Sequence, residues 1–249
     1  MQRLIYLAYG VACYLMFLAT YVWLAGFVGN WFVPKSIDSG ERGPFAMAAV
    51  VNLGLLALFG LQHSVMARPV FKRLWTKLVP EPIERSTYLL FSNLALIVLM
   101  WLWRPIDMVI WNVQQPAAWW LLTALFAAGV LLVPLVSLMI NHFDLFGLRQ
   151  VWLYWQGQEY TPLPFHAPLA YGWVRHPLYV AWAIFFWATP TMTLGHLLFA
   201  SVLTGYMVLA SKIEERDLVA HFGQQYEDYR RRVPAFVPTG KRARYISVH

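Results

Sequence analysis

The sequence predicts an all-α, polytopic integral membrane protein with four long spans plus a C-terminal transmembrane helical hairpin. Three observations carry that prediction. Hydrophobic residues make up 59% of the 249 and charged ones only 12%, with a mean hydropathy of +0.51, a balance ordinary soluble domains do not keep. The charges are gathered between uncharged runs, most of them close to the roughly 20 residues needed to cross a ~30 Å hydrocarbon core. Sixteen of the nineteen Lys and Arg fall on one side of the chain threaded through those runs, which is the asymmetry expected of cytoplasmic loops.

In order, residues 4–28 contain no Asp, Glu, Lys or Arg and form span one. No short apolar core followed by a small-residue cleavage site precedes them, so this span is read as retained. Residues 29–43 carry Pro, Gly and mixed charge and form a surface loop. Residues 45–65 are span two, ending in Gln62-His63-Ser64. A basic loop follows with Arg68, Lys72, Arg73, Lys77 and Arg85, in which Pro80 and Pro82 break any long helix. Residues 87–103 are a shorter third span, and 104–116 a brief turn. Residues 117–140 are span four, with a kink expected at Pro134 because neighbouring helices can satisfy the carbonyl that proline leaves free. Residues 141–177 form a long polar loop.

Residues 178–211 are uncharged but too long for one perpendicular helix, and Thr189-Pro190 with Gly195 supplies a turn, so they form a tight hairpin. From Lys212 the chain is charged: an amphipathic helix, then an irregular basic tail. The organisation is therefore 1–140, transmembrane helices one to four, and 141–249, one structural unit of cytoplasmic-face cofactor loop, hairpin and C-terminal helix. Both termini are expected to be cytoplasmic.

Composition also excludes. Net charge is +7, but the basic residues lie between apolar spans and read as topological charge, so no nucleic-acid partner is expected. Cys13 is the sole cysteine, which rules out a disulfide within one chain and zinc-thiolate sites. No two His stand at i, i+4 and no HExxH occurs, so no metal is expected. Glycine-rich nucleotide loops are absent too. The oligomeric state is not legible.

Two stretches hold the chemistry-bearing residue types. Arg175-His176-Pro177-x-Tyr179 and Glu214-Glu215 bracket the hairpin, so folding it back on itself brings them together on one face. They serve either as interfacial anchors with glutamates paired to Lys212 or Arg216, or as a site for a cation, since adjacent carboxylates near lipid repel each other and need a partner. Asn141, His142 and Asp144 follow span four, either closing and starting helices or supplying a base. His63 either bonds a neighbouring helix or is functional. His196 reads as structural, and His166 and His221 as surface residues.

The Arg-His-Pro-x-Tyr turn, the hairpin, Glu214-Glu215 and the trailing Phe222-Gly223-x-x-Tyr226-x-x-Tyr229 with Val233-Pro234 resemble the C-terminal signature of the isoprenylcysteine carboxyl methyltransferase and phospholipid methyltransferase superfamily. The glycine-rich lead-in often found before the turn is here Ala170-Tyr171-Gly172-Trp173-Val174, leaving Gly172 for backbone contacts. Leu61-Gln62-His63-Ser64-Val65-Met66-Ala67-Arg68 resembles a motif of NnrU-type membrane proteins, and Asn141-His142-Phe143-Asp144-Leu145-Phe146-Gly147-Leu148-Arg149-Gln150 resembles the bacterial methanethiol S-methyltransferases.

That resemblance implies S-adenosylmethionine as methyl donor, methanethiol as small-molecule acceptor, and a multi-pass protein of the bacterial inner membrane. A sulfonium donor with a polar tail calls for carboxylates, cationic donors and aromatic faces, types supplied by Tyr171, Gly172, Trp173, Arg175, His176, Tyr179, Glu214 and Glu215. The thiol attacks as thiolate, so a base is required. His142 and Asp144 are the first candidates and His63 the next, with Asn141 counted among the catalytic residues. The alternatives are a larger lipophilic thiol or isoprenylcysteine carboxylate as acceptor, or a non-enzymatic NnrU-like accessory protein.

Overall fold

A computed structural model describes residues 1–239; Lys241, Arg242 and Arg244 of the expected basic tail lie outside the described residues. The elements are α1 (Gln2–Gly29), α2 (Phe45–Ala67), α3 (Pro69–Trp75), α4 (Glu81–Leu102), β1 (Val109–Asn112), α5 (Pro116–Ile140), α6 (His142–Leu145), α7 (Leu148–Gln156), a 3-10 turn (Leu169–Gly172), α8 (Pro177–Trp187), β2 (Thr191–Thr193), α9 (Leu194–Phe222) and α10 (Gln224–Arg232). Helices α1, α2, α4, α5 and α9 are each long and apolar enough to cross a membrane. Their outward faces expose Leu15, Val22, Leu58, Leu121, Leu131 and Leu135, which lipid solvates and water would not. The fold is all-α and multi-pass, as its composition implies.

The core is aromatic. Phe27, Trp103, Phe126, Phe185, Phe186 and Phe199 are buried where α1, α4, α5, α8 and α9 converge. Helices α5 and α8 approach so closely that a Cβ at Gly129 would stand 2.6 Å from the Phe185 backbone nitrogen, the small-residue contact typical of helices packed in lipid. Pro134 lies inside α5 and cannot donate to the Val130 carbonyl. The Tyr21 hydroxyl of α1 donates to that carbonyl instead, so the proline becomes a point where α1 is tied to α5.

Five features differ from the sequence reading. The basic loop holds helix α3, and the third span begins at Glu81, with Pro82 in its first turn where a missing N–H is no loss. The polar loop 141–177 is partly helical. Its second helix, α7, lies on α1 with Val151 fully buried over Gly10, and it is bounded by Gly147 and Gly157 at positive φ. Leu148, Val151, Trp152 and Trp155 keep the i, i+3, i+4, i+7 apolar spacing of a helix, a signal the loop reading passed over because polar residues flank it.

The hairpin is there, with unequal arms. Helix α8 rises about 17 Å, whereas about 31 Å of α9 separates Leu194 from Glu215. The extended segment 188–193 supplies the missing height. Its polar backbone is satisfied by antiparallel pairing of β2 with β1 and by bonds from Val113 N to the Pro190 carbonyl and from Gly195 N to the Ile106 carbonyl, as non-helical backbone beside lipid requires. Segment 104–116 is thus more than a turn, because it carries β1.

Finally, no break occurs at Lys212. Helix α9 runs on to Phe222, where Gly223 at φ 56° ends it and α10 begins. Helix continuity depends on backbone hydrogen bonds rather than on polarity, so the change from apolar to charged marks where α9 leaves the lipid.

Candidate functional site

Pro177 occupies the first turn of α8, where its missing N–H costs nothing. The preceding turn is held from the other side by the chain end: Arg175 N donates to the Pro234 carbonyl at 2.9 Å and His176 N to the Ala235 carbonyl at 3.1 Å. This backbone clamp explains why the signature extends to Val233-Pro234. Beneath it Tyr226, Tyr229, Ala167 and Val233 form a small separate core with Phe165, and the Tyr229 hydroxyl donates to the Tyr171 carbonyl at 2.7 Å. Burial pushes the phenols of Tyr171, Tyr226 and Tyr229 above the ordinary tyrosine range, so all three act as neutral groups.

The hairpin brings both glutamates to this turn, and they do different things. Glu215 Oε1 accepts from Arg175 Nε at 2.7 Å and from His176 Nε2 at 2.9 Å. The side chains of Arg175 and Glu215 are each 13% exposed. Arg175 is committed further, donating through Nη1 to the carbonyls of Arg230 and Val233. Glu215 and Arg175 thus tie α9, the turn and α10 together.

Glu214 is 47% exposed, and among the described residues the one basic side chain within 4 Å of it is His176, with Nδ1 at 3.8 Å. One of its oxygens accepts from the Tyr179 hydroxyl at 3.0 Å. His176 and Tyr179 stack with ring centroids 5.3 Å apart and planes within 7°. Glu214, the paired rings and Tyr171, on which the Glu214 charge acts, make an anionic patch with aromatic walls. Gly172 is buried in the 3-10 turn, and Trp173 exposes its indole.

Two imidazoles, His142 and His63, each stand between a serine and a tyrosine hydroxyl. The Ser137 hydroxyl donates to the Pro134 carbonyl at 2.8 Å, leaving Ser137 Oγ to accept from His142 Nδ1 at 2.7 Å; His142 Nε2 then accepts from the Tyr14 hydroxyl at 2.7 Å. Burial lowers the His142 pKa, consistent with a neutral ring. In the same way the Ser92 hydroxyl donates to the Tyr88 carbonyl at 3.0 Å and its oxygen accepts from His63 Nδ1 at 3.2 Å. The Tyr88 hydroxyl lies 2.9 Å from His63 Nε2 and 3.0 Å from Nδ1, equidistant from the two ring nitrogens, and 3.3 Å from the His63 carbonyl.

Asp144 does not orient His142. Its carboxylate accepts from Arg149 at 3.0 Å and lies 3.4 Å from the Tyr160 hydroxyl, with Arg149 also bonded to Thr161. Asn141, at φ 99°, caps α6 by accepting from Asp144 N. Together they build the turn that carries His142. His142 lines a cleft of about 300 Å³ with Leu138, Met139, Asn141, Phe143 and exposed His166. His196 is fully buried and bonds the Phe186 carbonyl through Nε2 at 2.8 Å, a structural place as expected.

Sequence reasoning missed Tyr14, Tyr88, Ser92, Ser137 and Tyr206. Tyrosines inside a span read as ordinary apolar content; the available signal is that Tyr88 and Ser92 stand at i, i+4 and so share a helix face.

No family model matches the chain, and no solved structure does. Over 238 residues, 96% of this chain and 93% of the relative, it is 52% identical to the methanethiol S-methyltransferase of Crocosphaera subtropica. It is 52% identical over 238 residues to that of Mycobacterium tuberculosis, covering 96% of this chain and 98% of the relative. A more distant likeness, 35% identity over 176 residues, covers 67% of the chain and 66% of nurim from Pan troglodytes.

Proposed function

The chain belongs to the methanethiol S-methyltransferase family, and from that premise we propose that it transfers a methyl group from S-adenosylmethionine to methanethiol, giving dimethyl sulfide. The observation that carries the donor assignment is the division of labour between the two glutamates. Glu215 is satisfied within the protein, whereas Glu214 is half-exposed beside stacked rings. An anionic group against aromatic faces attracts a sulfonium or ammonium cation. When bound, the donor supplies an electrophilic methyl group on a positively charged sulfur.

This chain's residues divide the remaining work. Glu214, Tyr179, Tyr171 and Trp173 face the donor; His176 bridges both glutamates; Arg175 and Glu215 hold the turn; and Gly172 lies buried in the 3-10 turn. His142 and His63 are the imidazoles available to take the thiol proton: His142 presents an unprotonated Nε2 to the Tyr14 hydroxyl, and His63 lies beside the Tyr88 hydroxyl. Asn141 and Asp144 act through the position of His142. Aromatic lining suits a small apolar thiol held in a water-poor pocket.

The Lys and Arg asymmetry supports cytoplasmic termini and an inner-membrane location, with the donor site on the cytoplasmic face. The test is headspace gas chromatography of purified protein supplied with S-adenosylmethionine and methanethiol. Dimethyl sulfide is expected, with activity falling as the alkyl chain of the thiol lengthens. Protein that binds S-adenosylhomocysteine yet releases no dimethyl sulfide would refute the substrate assignment.

A further inference from the structure

The two imidazoles named above would each have to give up a bond already made before taking the thiol proton. His142 donates through Nδ1 to Ser137 and accepts at Nε2 from Tyr14, and at 6% exposure it would hold the resulting cation away from water. The Tyr88 hydroxyl stands within 3.0 Å of both ring nitrogens of His63.

His166, which reads as a surface residue in the sequence, is differently placed. Its Nδ1 donates to the Pro164 carbonyl at 3.2 Å. A carbonyl only accepts, so in the neutral ring Nδ1 holds the proton and Nε2 keeps its lone pair. No group among the described residues bonds that nitrogen. The ring is exposed, and it lines the cleft of about 300 Å³ whose other walls include Leu138, Met139 and Phe143.

That cleft adjoins the turn assigned to the donor by two routes. Along the chain, His166 is flanked by Phe165 and Ala167 of the small core beneath the turn; the Phe165 ring lies 5.3 Å from that of Tyr229, whose hydroxyl holds the Tyr171 carbonyl at 2.7 Å. Across the fold, α5, whose last turns supply Leu138 and Met139, comes within 8 Å of the 3-10 turn between Cα atoms. A free imidazole nitrogen, an apolar wall and the donor turn therefore meet at one place.

Resting on the methyl-transfer reading above, we propose that His166 is the catalytic base and that this cleft seats the thiol. The methyl group of the thiol lies against Leu138, Met139 and Phe143, and its S–H donates to His166 Nε2. The S–H bond breaks with its electron pair left on sulfur, and the proton bonds to Nε2. One thiolate and one imidazolium are produced. The imidazolium keeps donating from Nδ1 to Pro164, and its exposure lets water solvate the charge and carry the proton away.

The test compares wild type, His166→Gln and His166→Ala on methanethiol and on methaneselenol, a nucleophile largely ionised near neutral pH that needs no base. For both variants kcat/KM with the thiol is expected to fall about 100-fold or more, and with the selenol less than about threefold. Added imidazole should raise the thiol rate of His166→Ala about tenfold or more. Calorimetric affinity for S-adenosylhomocysteine should stay at the wild-type value. In 15N spectra of wild type, methanethiol added without donor should shift the His166 Nε2 signal and leave those of His63 in place.

Equal losses on thiol and selenol, wild-type thiol rates in both variants, or an unmoved His166 signal would overturn the assignment. Loss of S-adenosylhomocysteine binding in both variants would overturn it too, since His166 would then serve the donor turn; loss in one leaves the other to carry the comparison. Wild-type protein that methylates neither nucleophile while binding S-adenosylhomocysteine would refute the methyl-transfer reading itself, and the base with it.

Discussion

Replacing Glu215 by Gln keeps the side chain's shape and removes its charge. Two charge-assisted hydrogen bonds end on its Oε1, from Arg175 at 2.7 Å and His176 at 2.9 Å. Bonds to a charged group contribute about 1.5–3 kcal/mol each, roughly twice a neutral pair. Neutralising the acceptor therefore costs about 2 kcal/mol in all, and the loss falls on the turn that presents Tyr171 to Tyr179. If that order is needed for the donor, S-adenosylhomocysteine should bind about 30-fold more weakly, since each 1.4 kcal/mol is a factor of ten. The midpoint of thermal unfolding in detergent should fall as well.

Glu214→Gln is the control, because Glu214 is half-exposed and forms no ion pair with a Lys or Arg among the described residues. Its unfolding midpoint should stay near wild type while the affinity for S-adenosylhomocysteine falls. The two measurements are calorimetric titration and a thermal melt. Wild-type affinity in Glu214→Gln, or an unchanged melt in Glu215→Gln, would refute the division of labour between the glutamates.

Three further outcomes follow from the same contacts. Tyr229→Phe loses the bond to the Tyr171 carbonyl, worth about 1 kcal/mol, and should weaken S-adenosylhomocysteine binding about fivefold by calorimetry. Tyr21→Phe leaves the Val130 carbonyl, which Pro134 cannot serve, without its side-chain donor; a stability loss of about 1–3 kcal/mol is expected, read as a lower unfolding midpoint with the fold retained by circular dichroism. Burial holds the folded-state pKa of His142 below its unfolded value, so the unfolded chain takes up more protons as pH falls through the ordinary histidine range. Stability present above that range should therefore decline below it, and His142→Gln should show a shallower decline in melts at pH 7.5 and 5.5.

The spans were legible because lipid imposes a length and a polarity on every helix it surrounds, and residues 4–28, 45–65 and 117–140 meet both conditions without help from the rest of the chain. The hairpin was legible for the same reason, since an uncharged run too long to cross once must turn. Helix α7 was legible as a helix in the spacing of Leu148, Val151, Trp152 and Trp155, but its place on α1 was not, because Val151 and Tyr154 meet Gly10 and Tyr6 of a distant helix. Nor was the continuation of α9 past Lys212, because backbone hydrogen bonding ignores the change in polarity that marks the membrane surface.

For the candidate site, the sequence by itself determined which residue types meet: the Arg-His-Pro-x-Tyr turn and the glutamate pair are local motifs at the two ends of one hairpin. Only the tertiary structure decided what each does. Adjacent residues on a helix point in different directions, so Glu215 meets Arg175 and His176 while Glu214 is left to Tyr179 and solvent. The tyrosine partners of His142 and His63 lie 128 and 25 residues away in the chain. A phenol inside an apolar span acquires a role only through what another helix brings against its hydroxyl, and packing alone makes that pairing.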